Sequence, residues 1–347
     1  MGNIKFFRFC LSATALTLVV VLLGAWVRLE DAGLGCPDWP GCYGMLLGVP
    51  QTEEAIESAN LAYPERPVHV GKAWKEMIHR YAAGILGLLV FAIAVIAVRN
   101  RRDPQQPLAV PMILAVLIIA QSILGMWTVT WQLKPLVVTM HLLGGMTTLG
   151  ILWWLTLRTG RLIPVMAGNS ARRLRPWVLA VLAVVVGQIA LGGWVSTNYA
   201  ALACTDFPRC GGQWWPDANY SDAFVLWKGL GVDYEFGVLD HPARVAVHFV
   251  HRIGAVITAI AVIGLAVAVW RATVAAAPRA IAAASVVLLA VQWALGITNV
   301  LASLPLSVAV AHNGGAALLL LSMLTLYHTL QPLPTSAPPR QGSAEWH

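Results

Sequence analysis

Polar residues along this chain are gathered into short segments that separate long apolar ones. Nearly uninterrupted apolar runs occupy 9–29, 76–98, 108–130, 136–157, 175–196, 245–270, 279–301 and 305–329. Each is about twenty residues long, enough for a helix rising ~1.5 Å per residue to cross a hydrocarbon core of ~30 Å. Lipid offers the backbone no hydrogen-bond partners, so such runs must satisfy their own amides as helices; lone strands cannot. The pattern predicts an all-α polytopic membrane protein with eight transmembrane helices. Two longer polar stretches, 30–75 and 197–244, become large loops. Within them, 51–75 and 213–240 are expected to form short helices that cap the bundles.

The second half of the chain repeats the first. The stretch "CPDWPGC" at 36–42 recurs as "CTDFPRC" at 204–210, and a tryptophan stands ten residues before each, in "GAWV" and "GGWV". "HVGKAWKEMIHR" (69–80) aligns with "HPARVAVHFVHR" (241–252), "QSILGMW" (121–127) with "QWALGIT" (292–298), and "MHLLGG" (140–145) with "AHNGGA" (311–316). Self-similarity at a fixed offset is the signature of duplicated architecture. Four helices precede the repeat point, so both halves enter the membrane in the same direction. The expectation is two pseudo-symmetric up-down four-helix bundles from an internal duplication: 1–160 with external loop 30–75, and 175–330 with external loop 197–244. A cytoplasmic linker, 161–174, joins them, and a Pro/Ser-rich disordered tail, 331–347, follows.

Composition agrees: 58% of residues are hydrophobic and 11% charged, which excludes an ordinary soluble domain. Charge sets orientation. Segments 1–8, 99–107, 158–175, 270–279 and the tail hold 13 of the 23 Lys and Arg, but only Asp103 and Glu345 of the 16 acidic residues. The positive-inside bias makes that side, and both termini, cytoplasmic. The net charge of +7 is then a topology signal and gives no indication of nucleic-acid binding. Lys5 and Arg8 before an apolar run resemble a signal peptide, yet no small-residue cleavage site follows, so the run is read as a retained first helix. The external side is oxidising, which favours disulfides Cys36–Cys42 and Cys204–Cys210; Cys10, in the first helix, is expected to be a buried thiol.

Candidate chemistry lies near the external helix ends. His79 pairs with His141, and His251 with His312, on the second and fourth helices of each half. Two imidazoles facing each other in an apolar bundle are what axial ligation of a haem iron requires, although one intramembrane histidine could equally hydrogen-bond across helices. Zinc wants about four ligands, more than each half offers. Gly84 and Gly87, Gly144 and Gly145, and Gly314 and Gly315 follow the histidines, where they could admit a macrocycle or simply pack helices. Arg80 and Arg252, with Lys72 and Arg244 about two turns earlier, are candidates to pair with haem propionates or to snorkel. Glu76 shares a helical face with His79, and its counterpart is His248. It is either a first-turn carboxylate favoured by the helix dipole or a group placed to move protons. The asymmetry suggests one reactive half and one electron-transferring half. Trp39, Trp127, Trp131, Trp214 and Trp215 sit at segment ends, as interfacial anchors do.

In combination, "GAWVR…GLGCPDWPGC", "EMIHRYAAG", "MHLLGG", "VHFVHRIGA" and "AHNGG" resemble the haem A synthase family over nearly all of 10–330. The resemblance implies conversion of the C8 methyl group of haem O to the formyl group of haem A, for haem-copper oxidases, by two hydroxylations and loss of water. It implies that His79 and His141 ligate the substrate haem, that His251 and His312 hold a haem b cofactor, and that Glu76 is the acidic residue near the reacting site. It further implies residence in a bacterial cytoplasmic (inner) membrane with periplasmic cysteine loops. Expected partners are membrane lipid, a haem O-producing farnesyltransferase, oxidase assembly factors and a further copy of the chain. Two rivals remain: a bis-histidine di-haem b-type electron-transfer protein, and a membrane thiol oxidoreductase using the external cysteine pairs.

Overall fold

A computed structural model describes residues 4–160, 162–163 and 172–331. Eight of its helices are long and apolar enough to span a membrane: α1 (Ile4–Leu29), α3 (Val70–Arg99), α4 (Ala109–Thr130), α5 (Pro135–Gly160), α6 (Arg175–Thr197), α8 (His241–Ala272), α9 (Ala276–Leu301) and α10 (Leu306–Thr329). Two short helices lie in the polar loops: α2 (Glu53–Ala62) and the single turn α7 (Tyr220–Ala223). Each expected cap is therefore only partly helical. Helix α2 starts where Thr52 accepts a hydrogen bond from the Ala55 N–H and two glutamates fill the first turn. Helices α3 and α8 begin several residues before their apolar runs, so Glu76 stands in the second turn of α3 and not in the first turn expected of a helix-dipole carboxylate. Asp240 caps α8 by accepting from the Ala243 N–H. Of the expected linker 161–174 and tail 331–347, residues 161, 164–171 and 332–347 lie outside the described residues.

In the first half, α1 packs on α3 and α5, and α4 on α3 and α5, so α3 and α5 stand diagonally across the group. In the second half, α6 packs on α8 and α10, and α9 on α8 and α10, which makes α8 and α10 the diagonal pair. The two groups meet along α1, α5, α6 and α10. Lipid is as apolar as leucine, so close contact and polar bridges must hold such a seam. Both occur. A Cβ on Gly193 would lie 2.9 Å from Leu142, one on Gly150 3.0 Å from Leu324, and one on Gly314 3.0 Å from Leu22. The Trp153 indole donates to the Thr325 hydroxyl (2.8 Å), and Arg28 donates to the Ser196 carbonyl (2.6 Å).

Each group carries its most extensive apolar core toward one end. Phe6, Cys10, Leu86, Val90, Ile93, Leu114, Leu152 and Leu155 fill the first. Val178, Val185, Val262, Val269, Leu289, Leu320 and Leu326 help to fill the second. Cys10 is the buried thiol expected of it. These cores occupy the ends away from the cysteine loops, and the histidines occupy the opposite ends.

Over the histidine ends, the large loop of the second half reaches across to the first. The Tyr234 N–H donates to the Gln132 carbonyl, and Arg66 pairs with Asp233 and Glu235. Lys134, fully buried, donates to the Gly229 carbonyl (2.7 Å) beneath the Trp227 ring. Replacing Lys134 by Ala removes that bond and the cation–π contact, together about 1–3 kcal/mol of local stability. Limited proteolysis should then cut between 225 and 238 faster than in the wild type; an unchanged rate would show that the strap is held elsewhere.

Candidate functional site

His79 stands on α3 and His141 on α5, the diagonal pair of the first group; His251 on α8 and His312 on α10 are the corresponding pair of the second. Within each pair the rings are in electrostatic reach of one another. All four are part-buried.

What seats them is a glycine on the neighbouring helix. A Cβ added to Gly24 would lie 3.1 Å from Cε1 of His79, and one on Gly125 3.4 Å from Cε1 of His141. The same construction gives 3.2 Å from Gly192 to His251 and 3.2 Å from Gly296 to His312. The same ring atom meets the same vacancy four times. The rings of His79, His141 and His312 turn toward the backbone carbonyls of Val20, Gln121 and Gln292, each one helical turn before the seating glycine, without closing a hydrogen bond. Their Nδ1 atoms are enclosed and unpartnered. His251 differs: the Gln188 amide nitrogen lies 3.1 Å from its Nδ1 and donates to its carbonyl at 3.0 Å. With Nδ1 enclosed in three of four rings, Nε2 is the nitrogen left to face a ligand. Among the described residues no three His, Cys, Asp or Glu side chains converge, so each group offers two imidazoles and no fuller metal set.

The glycines named from sequence behave unevenly. Gly144 lies against Gln121 and Gly315 against Gln292, whereas Gly84 and Gly87 have no neighbour for an added Cβ. Sequence reading passed over the four seating glycines, although each lies inside a repeated motif: "GAWV", "GGWV", "QSILGMW" and "QWALGIT".

Above the histidines, Cys36–Cys42 and Cys204–Cys210 are disulfides, as expected. The aspartate of each Cys-x-Asp-aromatic-Pro-x-Cys loop folds the turn. Asp38 accepts from the N–H groups of Tyr43 (2.6 Å) and Gly44 (2.7 Å), and Asp206 from those of Gly211 (2.7 Å) and Gly212 (2.9 Å). The turn needs positive φ at Gly44, Gly211 and Gly212 (77°, 59° and 77°), which explains its glycines. The Gly212 and Gly211 amides hold the Asp206 carboxyl below the usual carboxylate range. A lowered folded value means that this contribution is complete above the ordinary range and is lost as pH falls through the lowered one.

Glu76 and Arg80 then lash the first loop to α3. One Glu76 oxygen accepts from the Cys36 N–H (2.9 Å), the other from Arg80 (2.5 Å). Arg80 also donates to the carbonyls of Asp38, Pro40 and Gly41. In the second loop His248 Nδ1 takes the Cys204 N–H (3.4 Å), and Arg252 donates to the carbonyls of Cys204, Asp206 and Arg209. Both arginines thus bind loop carbonyls, and Arg244 donates to the Leu239 carbonyl. Lys72 has no hydrogen bond, but a Cβ on Gly35 would lie 2.6 Å from its backbone carbon, so that glycine lets the loop settle onto α3.

Apolar spans, paired imidazoles in their interior and a loop clamped over each pair define a polytopic α-helical integral membrane protein with two internal histidine sites. The COX15-CtaA family model, described as cytochrome oxidase assembly protein, matches residues 7–324. The chain belongs to that family. A protein of Shewanella oneidensis named heme A synthase is 48% identical over 314 residues, covering 90% of this chain and 93% of that protein. Proteins with the same name from Rhizorhabdus wittichii (28% over 339 residues, 92% of each chain) and Paracoccus denitrificans (29% over 347 residues, 91% and 86%) are more distant.

Glu76→Gln tests the clamp. The amide can still accept one bond, but its NH2 must face either the Cys36 N–H or the Arg80 guanidinium, both donors. A loss of about 1–3 kcal/mol is expected, read as a lower thermal midpoint and faster hydrogen exchange at the Cys36 amide; wild-type values for both would contradict the clamp.

Proposed function

We propose that this chain is a haem A synthase: it oxidises the C8 methyl group of haem O to a formyl group, and the haem A produced serves haem-copper oxidases. Its 48% identity to a named heme A synthase, end to end, supports the reading at the level of the protein. The observation that carries it at the level of the site is the set of four histidines in two pairs, each ring lodged against a glycine of the neighbouring helix, with Nδ1 enclosed in three of them. Bis-imidazole ligation of an iron porphyrin needs two imidazoles that each present one nitrogen.

In this reading His79 and His141 grip the iron of haem O and fix the macrocycle, so that one chosen methyl group meets one set of side chains. Glu76, one turn from His79, is the acidic residue of that half. Its carboxylate is already held by Arg80 and the Cys36 amide, so it is a positioned group, fixed in direction before substrate arrives. A formyl group lies four electrons above a methyl group, so electrons and protons must leave the first half in two stages. His251 and His312 would hold a haem b, which when bound supplies one-electron chemistry. Gln188 fixes the His251 ring there. His248 in place of Glu76 leaves the second half without the carboxylate, in keeping with a site that binds and does not react. Arg80 and Arg252 cap the sites from above; any propionate contact would come from donors not engaged with the loops, among which Lys72 is free of a hydrogen bond in the described structure. The setting is a bacterial cytoplasmic membrane with the cysteine loops in the periplasm, a haem O-producing farnesyltransferase upstream and oxidase assembly factors downstream.

The thiol-oxidoreductase alternative finds little support. Cys36, Cys42 and Cys204 are fully buried and Cys210 is 3% exposed, whereas exchange with a partner needs an accessible sulfur.

Co-expression with a haem O-making enzyme, followed by pigment extraction and chromatography, tests the reading. Wild type should yield haem A. His251→Ala or His312→Ala should purify without haem b, and Glu76→Ala should keep haem b yet yield no haem A. Unchanged haem content in the histidine variants would refute the cofactor assignment, and normal haem A from Glu76→Ala would remove its chemical role.

A further inference from the structure

Each disulfide loop ends in two adjacent, exposed, large apolar residues. Leu46 and Leu47 are 74% and 78% exposed; Trp214 and Trp215, at the same place in the second loop, are 66% and 70% exposed. Four such side chains, paired at equivalent places in the two loops, call for a covering partner.

Their depth identifies it. On α3 the last charge is Arg80 and the next is Arg99; on α8 they are Arg252 and Arg271. The uncharged stretches, 81–98 and 253–270, each rise about 27 Å, close to the hydrocarbon thickness. Arg80 and Arg252 therefore mark the edge of the apolar slab, and it is these two residues that clamp the loops. The first loop is tied to the side chain of the residue beyond: the Gly48 N–H donates to the Tyr81 hydroxyl (2.7 Å). In the second, the Trp215 ring meets Phe249 edge-on, 5.2 Å between centroids, one turn before Arg252. The helices beneath also expose large apolar side chains, Ile78 and Ile85 on α3 and Ile253 and Val256 on α8. Arg209 lies over the Trp214 ring at 5.4 Å, the pairing of cation and indole that suits a headgroup layer.

We propose that the two loop tips, residues 45–48 and 213–216, are embedded in the bilayer at the boundary between headgroups and acyl chains on the loop side, so that lipid is the partner of Leu46, Leu47, Trp214 and Trp215. The loops are then wedges seated in the leaflet, held at fixed depth by the disulfide, the aspartate-folded turn and the arginine clamp. The proposal does not depend on what the histidines bind.

Photocrosslinking in native membranes tests it. p-Benzoylphenylalanine is placed at Leu47 or Trp215, at Ile85 as a lipid-facing reference, and at Glu57 on α2 as an exposed reference, and adducts are identified by mass. Phospholipid adducts at 47 and 215 as abundant as at 85, with none at 57, are expected. Absence of lipid adducts at 47 and 215 while 85 labels, or adducts there with protein, a second copy included, would overturn the proposal. As a second measurement, the fluorescence that bromine-labelled lipids quench should fall when Trp214→Tyr and Trp215→Tyr are combined; unchanged quenching would count equally against it.

Discussion

Four imidazoles can lie inside two apolar bundles because the helix beside each one lacks a side chain at the point of contact. Gly24, Gly125, Gly192 and Gly296 stand where any Cβ would press within 3.1–3.4 Å of a histidine Cε1. The constraint is steric: a side chain at any of these positions would meet the ring and push it from its seat. The most extensive apolar cores sit at the ends away from the cysteine loops, and the seam between the groups relies on further glycines and on polar bridges between helices.

The repeated cysteine loop is clamped over each histidine pair. Each part of its motif has a job. The disulfide closes the ring, the aspartate takes the two amides of the turn, and the glycines allow the left-handed backbone there. An arginine next to the seated histidine in sequence ties the loop to the helix that carries both. The halves part company at position 76, where a carboxylate in the first is replaced by His248 in the second, both receiving the N–H of the loop's first cysteine. A group that is structural in both halves can be chemical in only one.

Much of this was legible in the sequence. Eight apolar runs gave eight spans, because length and the lack of backbone partners in lipid leave a helix no alternative. The disulfides followed from spacing and from a charge bias that predicts external loops. The histidine pairs were visible because ionisable residues in apolar helices are rare enough to stand out. The seating glycines were not, since a glycine in a transmembrane helix usually means helix packing; only a neighbouring helix shows that Gly125 faces a ring while Gly84 faces nothing. For Glu76 and Arg80 the sequence offered a role toward a ligand or an ordinary helix-end role, and not the loop clamp they form. The loop contacts that engage them join residues about forty positions apart, which no local pattern reveals. The strap from Lys134 to Gly229 was hidden for the same reason.

Low-temperature electron paramagnetic resonance of the oxidised, purified protein, with Gly192→Val beside the wild type, bears most directly on the glycine-seated imidazole pairs. Wild type should give the low-spin ferric signal of an iron between two imidazoles, and the valine methyls, meeting the His251 ring, should convert that signal to high spin or abolish it. A high-spin wild type, or a low-spin signal untouched in Gly192→Val, would contradict it.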